Sequence, residues 1–199
     1  MNKIILIGVV ALVVLIGIVV AVPFLFGHGG SCSYITPSQA ASVIGGTWSL
    51  QQDISYCYTI SDGKATVKYF NGKTTNMSLG GLGGSSFASF SQFTPTSGMT
   101  EFLNGTVNGK SASIQANYAT FSSQDVAKRF FSTEYMTLQF LSKVQNISSN
   151  EFVATTGGFG GTYIYTVVKL SGNTVYVVQV TVPVQLSTSQ LANLVNYLG

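Results

Sequence analysis

Three hydrophobic patterns follow one another along the 199-residue chain. The first runs from Ile4 to Phe26, where side chains are apolar on every helical face and none is charged. A helix here has no water-facing side, so it has no place on the surface of a soluble domain. At about 1.5 Å per residue the run is long enough to cross a hydrocarbon core of roughly 30 Å. It exceeds the apolar region of an export signal, about 7–15 residues, and Pro23-Phe24-Leu25-Phe26 is a poor cleavage context. The pattern predicts a transmembrane signal anchor over residues 1–26, with a cleaved export signal as the alternative.

The second pattern has a helical period and a repeated opening. Ile35-Thr36-Pro37-Ser38-Gln39 places Thr at an N-cap, Pro at the first helical position and Gln at N3, which is a capping box. Phe121-Ser122-Ser123-Gln124-Asp125-Val126 repeats the form, with Asp125 at N3 and a Phe121–Val126 staple. Leu186-Ser187-Thr188-Ser189-Gln190-Leu191 repeats it again, with a Leu186–Leu191 staple. The apolar sets Ala40/Val43/Ile44, Val126/Phe130 and Leu191/Leu194/Val195/Leu198 should face a core. The first helix should stop at Gly45-Gly46. Residues 132–146 fit a helix or a strand, and the reading taken is helix to about Leu141.

The third pattern alternates with period two. From Trp48 to Ile60 the even positions are mostly large and apolar and the odd ones mostly polar, as in a strand with one buried face. Asp62-Gly63 and Asn71-Gly72 read as two-residue hairpin turns joining Trp48–Ser61, Lys64–Phe70 and Lys73–Leu79. Asn108-Gly109 joins Thr100–Val107 to Lys110–Thr120, and Ser171-Gly172-Asn173 joins Thr162–Leu170 to Thr174–Val182. Pro183 then ends pairing. Together the patterns predict an α+β protein: an N-terminal transmembrane helix, then one antiparallel-sheet domain with about three helices packed on one face. The boundaries are 1–26 for the anchor, 27–34 for a Gly/Ser linker and 35–199 for the domain.

Charge sets the orientation. Lys3 precedes the apolar run and no Lys or Arg follows it until Lys64, so the N-terminus belongs in the cytoplasm and the domain outside. Cys32 and Cys57 are the chain's two cysteines, and an even pair in an exported domain reads as a disulfide. Three N-glycosylation sequons begin at Asn76, Asn104 and Asn146. Removing Lys3 from the nine Lys and Arg leaves the external part eight, against six Asp and Glu. That balance lacks the dense basic patch nucleic acid requires. So few carboxylates leave little to protonate as pH falls, so stability should depend weakly on acid.

Catalytic chemistry has little material. His28 is the one histidine and lies in the linker, so Ser/His/Asp and Cys/His arrangements are not expected. Bridged cysteines leave no usual metal set, and no cofactor is expected. A carboxylate pair would draw on Asp53, Asp62, Glu101, Asp125, Glu134 and Glu151; Asp62 reads as a turn residue and Asp125 as a cap, and Asp53 and Glu101 are the candidates. The expectation is that the protein is not an enzyme. Two glycine segments, "SLGGLGGSS" at 78–86 and "TTGGFGGTY" at 155–163, fail as phosphate cradles. Neither has the P-loop lysine, and Ser86 and Tyr163 stand where a dinucleotide fingerprint requires its third glycine. They read instead as close-packed backbone within the sheet or as loops with apolar tips, Leu82 and Phe159. With Phe87, Phe90 and Phe93 of the Ser/Gly-rich stretch 78–99, these tips are the candidate membrane or partner contacts.

The closing segment "YIYTVVKLSGNTVYVVQVTVPVQLSTSQLANLVNYL" and the opening "ITPSQAASVIGG" resemble the ends of anchored extracytoplasmic sensor-like domains of PsbP-like type. Those end in a hairpin around a Gly-Asn turn and a Ser/Thr-capped helix. The apolar leader, low charge and abundant Gly, Ser, Thr, Asn and Tyr resemble exported proteins of thermoacidophilic archaea, among them the antimicrobial sulfolobicins. The first resemblance implies a non-catalytic, membrane-anchored external domain, bound to the membrane through residues 4–26 and to an extracellular protein, glycan or apolar ligand. The second implies an exported membrane-active antimicrobial protein.

Overall fold

The computed structural model describes residues 32–78, 93–157 and 161–199. The anchor expected over residues 4–26 lies outside them, as do His28, Leu82, Phe87, Phe90 and Phe159. Among the described residues no helix is long and apolar enough to cross a membrane.

The architecture is α+β. Helix α1 (Pro37–Ile44) precedes β1 (Thr47–Leu50), β2 (Tyr56–Ser61), β3 (Lys64–Tyr69) and β4 (Thr74–Ser78). Then come β5 (Ser97–Val107), β6 (Lys110–Thr120) and α2 (Gln124–Leu141). Strands β7 (Lys143–Ser148), β8 (Glu151–Thr156), β9 (Tyr163–Ser171) and β10 (Thr174–Val182) lead to α3 (Thr188–Asn196). All ten strands form one sheet in the order β4-β3-β2-β5-β6-β10-β9-β8-β7, with β1 paired to β5 beside β2. The pairings are antiparallel.

Two of the three capping motifs form as read. Thr36 and Ser187 each accept from the N3 backbone while Gln39 and Gln190 reach back to the cap. The second helix differs: Ser123 is its N-cap and accepts from Val126 N–H, so Asp125 sits at N2 and no capping box closes. Asp125 still places negative charge in the first turn, where the helix dipole favours it. The helix runs on to Leu141, as the reading of 132–146 expected.

Three other expectations are corrected. The single strand Trp48–Ser61 is two strands, because β5 opposes Leu50 with Leu103 and Tyr56 with Thr100. Five residues, 51–55, therefore bulge out over two, and the Ser55 hydroxyl fills the gap by accepting from Phe102 N–H at 3.0 Å. The Asn71-Gly72 turn is a three-residue loop, closed by Tyr69 N–H donating to Lys73 C=O, with Gly72 at φ 88°. The hairpin β7–β8 has no counterpart among the expected strands; its turn, Ser149-Asn150, lacks the glycine that marked the others.

The helices occupy both faces of the sheet, where one face was expected. Strand alternation makes two cores. On one face Met99, Leu103, Ile114, Val178 and Val180 meet α1 and α3 through Ala40, Ile44, Leu191 and Leu194. On the other, Phe152, Ala154, Val168, Val175 and Val177 meet α2 through Ala127 and Leu138. A sheet with apolar residues at both parities cannot leave one side wet. The two short helices are tied together by Gln190 Nε2, which donates to Val43 C=O at 2.8 Å.

Candidate interaction surface

The N-terminal end of the described domain is held by a disulfide. Cys32 and Cys57 are disulfide-bonded with Cα atoms 6.4 Å apart, closing a loop of sequence separation 25. The bond holds the chain where it leaves the linker and is worth about 3 kcal/mol in the chain-entropy picture. Beside it Tyr34 packs on Phe70, ring centroids 5.1 Å apart. Ile35 is fully buried, and its N–H donates to Glu101 Oε2 at 2.9 Å. Glu101 is itself 0 % exposed, its Oε1 has no partner, and burial pushes its carboxyl up to about 8 despite that hydrogen bond. The other half of the proposed carboxylate pair, Asp53, is exposed in the 51–55 bulge and accepts from Asn71 Nδ2 at 2.7 Å. Each carboxylate thus has a structural task. Glu101 orders the entry of the chain and Asp53 ties two loops. Among the described residues no three His, Cys, Asp or Glu side chains gather as metal ligands.

The distinctive surface lies across the sheet, on α2. This helix is 18 residues long, about 27 Å at the α-helical rise. Its inner stripe is Ala127, Glu134 and Leu138. Phe130 stacks obliquely on Phe121 at 5.1 Å and meets Phe93 edge-on at 5.9 Å. Phe131 and Tyr135 meet Phe152 edge-on at 5.3 and 5.0 Å. Phe93, one of the candidate contacts, is therefore half-buried in this aromatic core.

The outer face is unlike that of an ordinary solvated helix. Thr133 and Thr137 turn their hydroxyls back onto the carbonyls of Arg129 and Thr133, which withdraws polarity from the surface. Met136 and Phe140, one turn apart, are 55 % and 90 % exposed. Leu141, the last residue of α2, is exposed next to Phe140 in the chain. A groove of about 280 Å³ runs between α2 and the β7–β8 hairpin, lined by Phe131, Tyr135, Met136, Asn146, Ser149 and Phe152 among others. That is slightly under the range typical of small-molecule pockets, roughly 300–1,000 Å³. Sequence reading missed this surface because three aromatics of α2, Phe130, Phe131 and Tyr135, pack inward while the fourth, Phe140, is exposed. Phe130, Phe131 and Phe140 look alike until the register of the helix on the sheet is known.

Beneath the surface lies Glu134, 3 % exposed, with Oε2 unpartnered; burial pushes its carboxyl up to about 7. Asn117 on β6 is also buried with an unpartnered Oδ1. The three sequon asparagines, Asn76, Asn104 and Asn146, all have exposed side chains on strands. Of the two GGxGG segments, 80–84 lies outside the described residues; in 157–161, Gly157 has open space around it and Gly161 takes φ 77°.

No protein-family model matches this chain, and no curated protein does. One solved structure is similar in fold: the extracellular domain of PknH from Mycobacterium tuberculosis. The TM-score is 0.54 at 14 % identity, over 86 % of this chain and 98 % of that one. The likeness is one of fold.

Proposed function

We propose that residues 35–199 form a non-catalytic extracellular interaction domain, held at the membrane by residues 4–26, which binds a partner protein through the outer face of α2. The observation that carries this is Phe140, 90 % exposed with Met136 one turn away, on a helix whose other aromatics are packed inward. Burying a phenylalanine is worth about 1.5–3 kcal/mol, so leaving one out costs nothing in folding only if something else covers it. The groove beside it has room for one or two side chains, which suits a protein surface better than a whole small ligand. An extracellular placement is supported by the disulfide, by the expected anchor and by the fold shared with an extracellular domain.

The test is crosslinking from α2. A photoreactive residue at position 140 in the full chain, in the membranes of the cells that make it, should yield one discrete adduct with a protein. The same residue at Lys110, the exposed first residue of β6, should not. If position 140 gives no adduct beyond that control, the reading fails. The rival reading, an exported membrane-active antimicrobial protein, predicts that the purified protein makes liposomes leak and inhibits related cells. Neither effect is expected of a tethered interaction domain.

A further inference from the structure

Among the described residues the strand order ends at β4 and β7, each paired on one side; β1, paired to β5 alone, is a third one-sided strand but only four residues long. An exposed edge strand offers unpaired N–H and C=O groups to any other strand. On β7 a bulge between Asn146 and Ser148 and the charge of Lys143 give partial protection. On β4, Thr74–Ser78, no Lys, Arg, Asp, Glu or Pro stands in the strand. Each of these two edge strands carries one of the chain's three sequons, Asn76-Met77-Ser78 and Asn146-Ile147-Ser148. The long interior strands β6, β9 and β10 carry none. Asn76 Oδ1 accepts from Thr66 Oγ1 at 2.8 Å, which orients the amide and leaves the Nδ2 that glycosylation uses outside that bond. Asn146 stands exposed at the rim of the groove. The third sequon asparagine, Asn104, is exposed on β5 opposite Ser49 of β1, in the body of the sheet.

We propose that Asn76 and Asn146 carry N-linked sugars that close the two edges of the sheet. The donor is an oligosaccharide on a lipid pyrophosphate. The amide Nδ2 bonds to the anomeric carbon, and the bond from that carbon to the phosphate oxygen breaks. Its electron pair leaves with the lipid pyrophosphate, and the Nδ2 proton passes to the transferase. Strand side chains stand off the sheet's faces, and an added strand would lie about 4.8 Å away, so a branched sugar rooted on an edge strand overhangs the position that strand and its side chains would take. Strand addition is then blocked at both ends. The outer face of α2 is left as the apolar surface open to a partner, with the Asn146 sugar as a wall of its groove. The proposal does not depend on that partner existing.

Peptide mass spectrometry of the full chain, isolated from the membranes of the cells that make it, reads the modification directly. Peptides containing Asn76 and Asn146 should both carry sugar mass, and finding either one wholly unmodified overturns the proposal. The role at the edges is read with N76Q/N146Q against N104Q, by sedimentation in one detergent at one concentration, with the disulfide and circular dichroism confirming the fold. The double variant should move from monomer to dimer or larger species, while N104Q stays monomeric. A monomeric double variant, or association of N104Q to the same extent, removes the edge-closing role. Should the double variant misfold, wild-type chain made in a host without N-glycosylation takes its place, and must associate under the same conditions.

Discussion

The two faces of this sheet are covered in different ways. One carries two short helices, the disulfide, the entering chain and the C-terminus. Leu191, Leu194, Val195 and Leu198 of its last segment are all buried, and Lys169 Nζ holds the chain end through Asn196 Oδ1 and the Gly199 carbonyl, at 2.8 and 2.7 Å. The other carries a single long helix, apolar inside and partly apolar outside. Covering a sheet face requires one buried stripe per helix. The first face meets that need and stops, which is the construction of a closed, braced layer. The second exceeds it, and the excess, Met136 and Phe140, is what a folding argument leaves unexplained.

The comparison is broken most severely by cavities. Leu194→Ala on α3 and Leu138→Ala on α2 remove the same atoms from sites that are 0 % and 2 % exposed. Each should cost about 2–5 kcal/mol, read as a lower urea midpoint with unchanged slope. Similar costs would show that α2 is as integral as α3. A loss under about 1 kcal/mol for Leu138→Ala would make α2 a loosely docked element, and its exposed face a by-product of poor packing. Next in size, reduction of Cys32–Cys57 should remove about 3 kcal/mol, lowering Tm by roughly 6–12 °C for a domain of this length. Because the bond belongs to the closed face, hydrogen exchange should quicken first in residues 32–44 and leave α2 protected. Equal loosening of both faces would refute that division.

A pH difference also separates the faces from what the sequence suggested. Each face buries one glutamate, Glu101 or Glu134, with an unpartnered oxygen. Around Glu101, α1 and α3 carry no titratable group, and β10 presents Val178 and Val180 with only Tyr176 able to titrate. On the face of Glu134, α2 brings Asp125, Lys128 and Arg129, and Tyr135 packs in the same core. On β7 and β8, packed against α2, stand Lys143 and Glu151, and on β9 Lys169, which is turned to the C-terminus. Burial raises both carboxyls, to about 8 and about 7 from 4.5, so the folded state prefers them neutral. Their stabilising contribution is complete below pH 4.5 and is lost as pH rises towards 7 and 8. The fold should therefore be more stable near pH 4 than near pH 8, a stronger statement than the weak acid dependence read from composition. Glu101→Gln and Glu134→Gln should each flatten the profile, Glu101→Gln over the wider range. A melt that falls steeply from pH 7 to pH 4 would contradict this.

The sequence was most legible where local chemistry decides structure. Thr36-Pro37 and Ser187 with Gln190 start helices, and Asp62-Gly63 and Asn108-Gly109 turn strands with both residues at positive φ. It was least legible where partners are distant. The bulge at 51–55 exists because Ser55 satisfies Phe102 N–H, 47 residues on. The alternation of Trp48–Ile60 therefore read as one strand although two run along it. Placing helices on one face failed for a similar reason: near-continuous apolar runs such as Val175–Val182 mark a strand buried on both sides, without saying by what. Of the candidate site, the cysteine pair and the sequons were readable as motifs. The apolar face was not, since Phe140 differs from Phe130 only in where the helix rotates it.

The smallest effect on folding should come from the residue on which the functional reading rests. Phe140→Ser exchanges a side chain that is 90 % exposed, so stability should move by no more than about 0.5 kcal/mol either way. Binding should respond very differently. A central apolar anchor costs at least about 2 kcal/mol when truncated, roughly thirtyfold in Kd, so capture of the partner found by crosslinking should fall by that factor. Met136→Ser, at 55 % exposure and on the rim of the groove, should fall between Phe140→Ser and Leu138→Ala in both measures. The ratio of binding loss to stability loss is therefore the decisive quantity. It should be largest at Phe140, smaller at Met136 and near zero at Leu138. If Phe140→Ser instead destabilised the fold by more than about 1 kcal/mol, Phe140 would belong to the packing of α2, and the difference between the two faces would no longer speak of a partner.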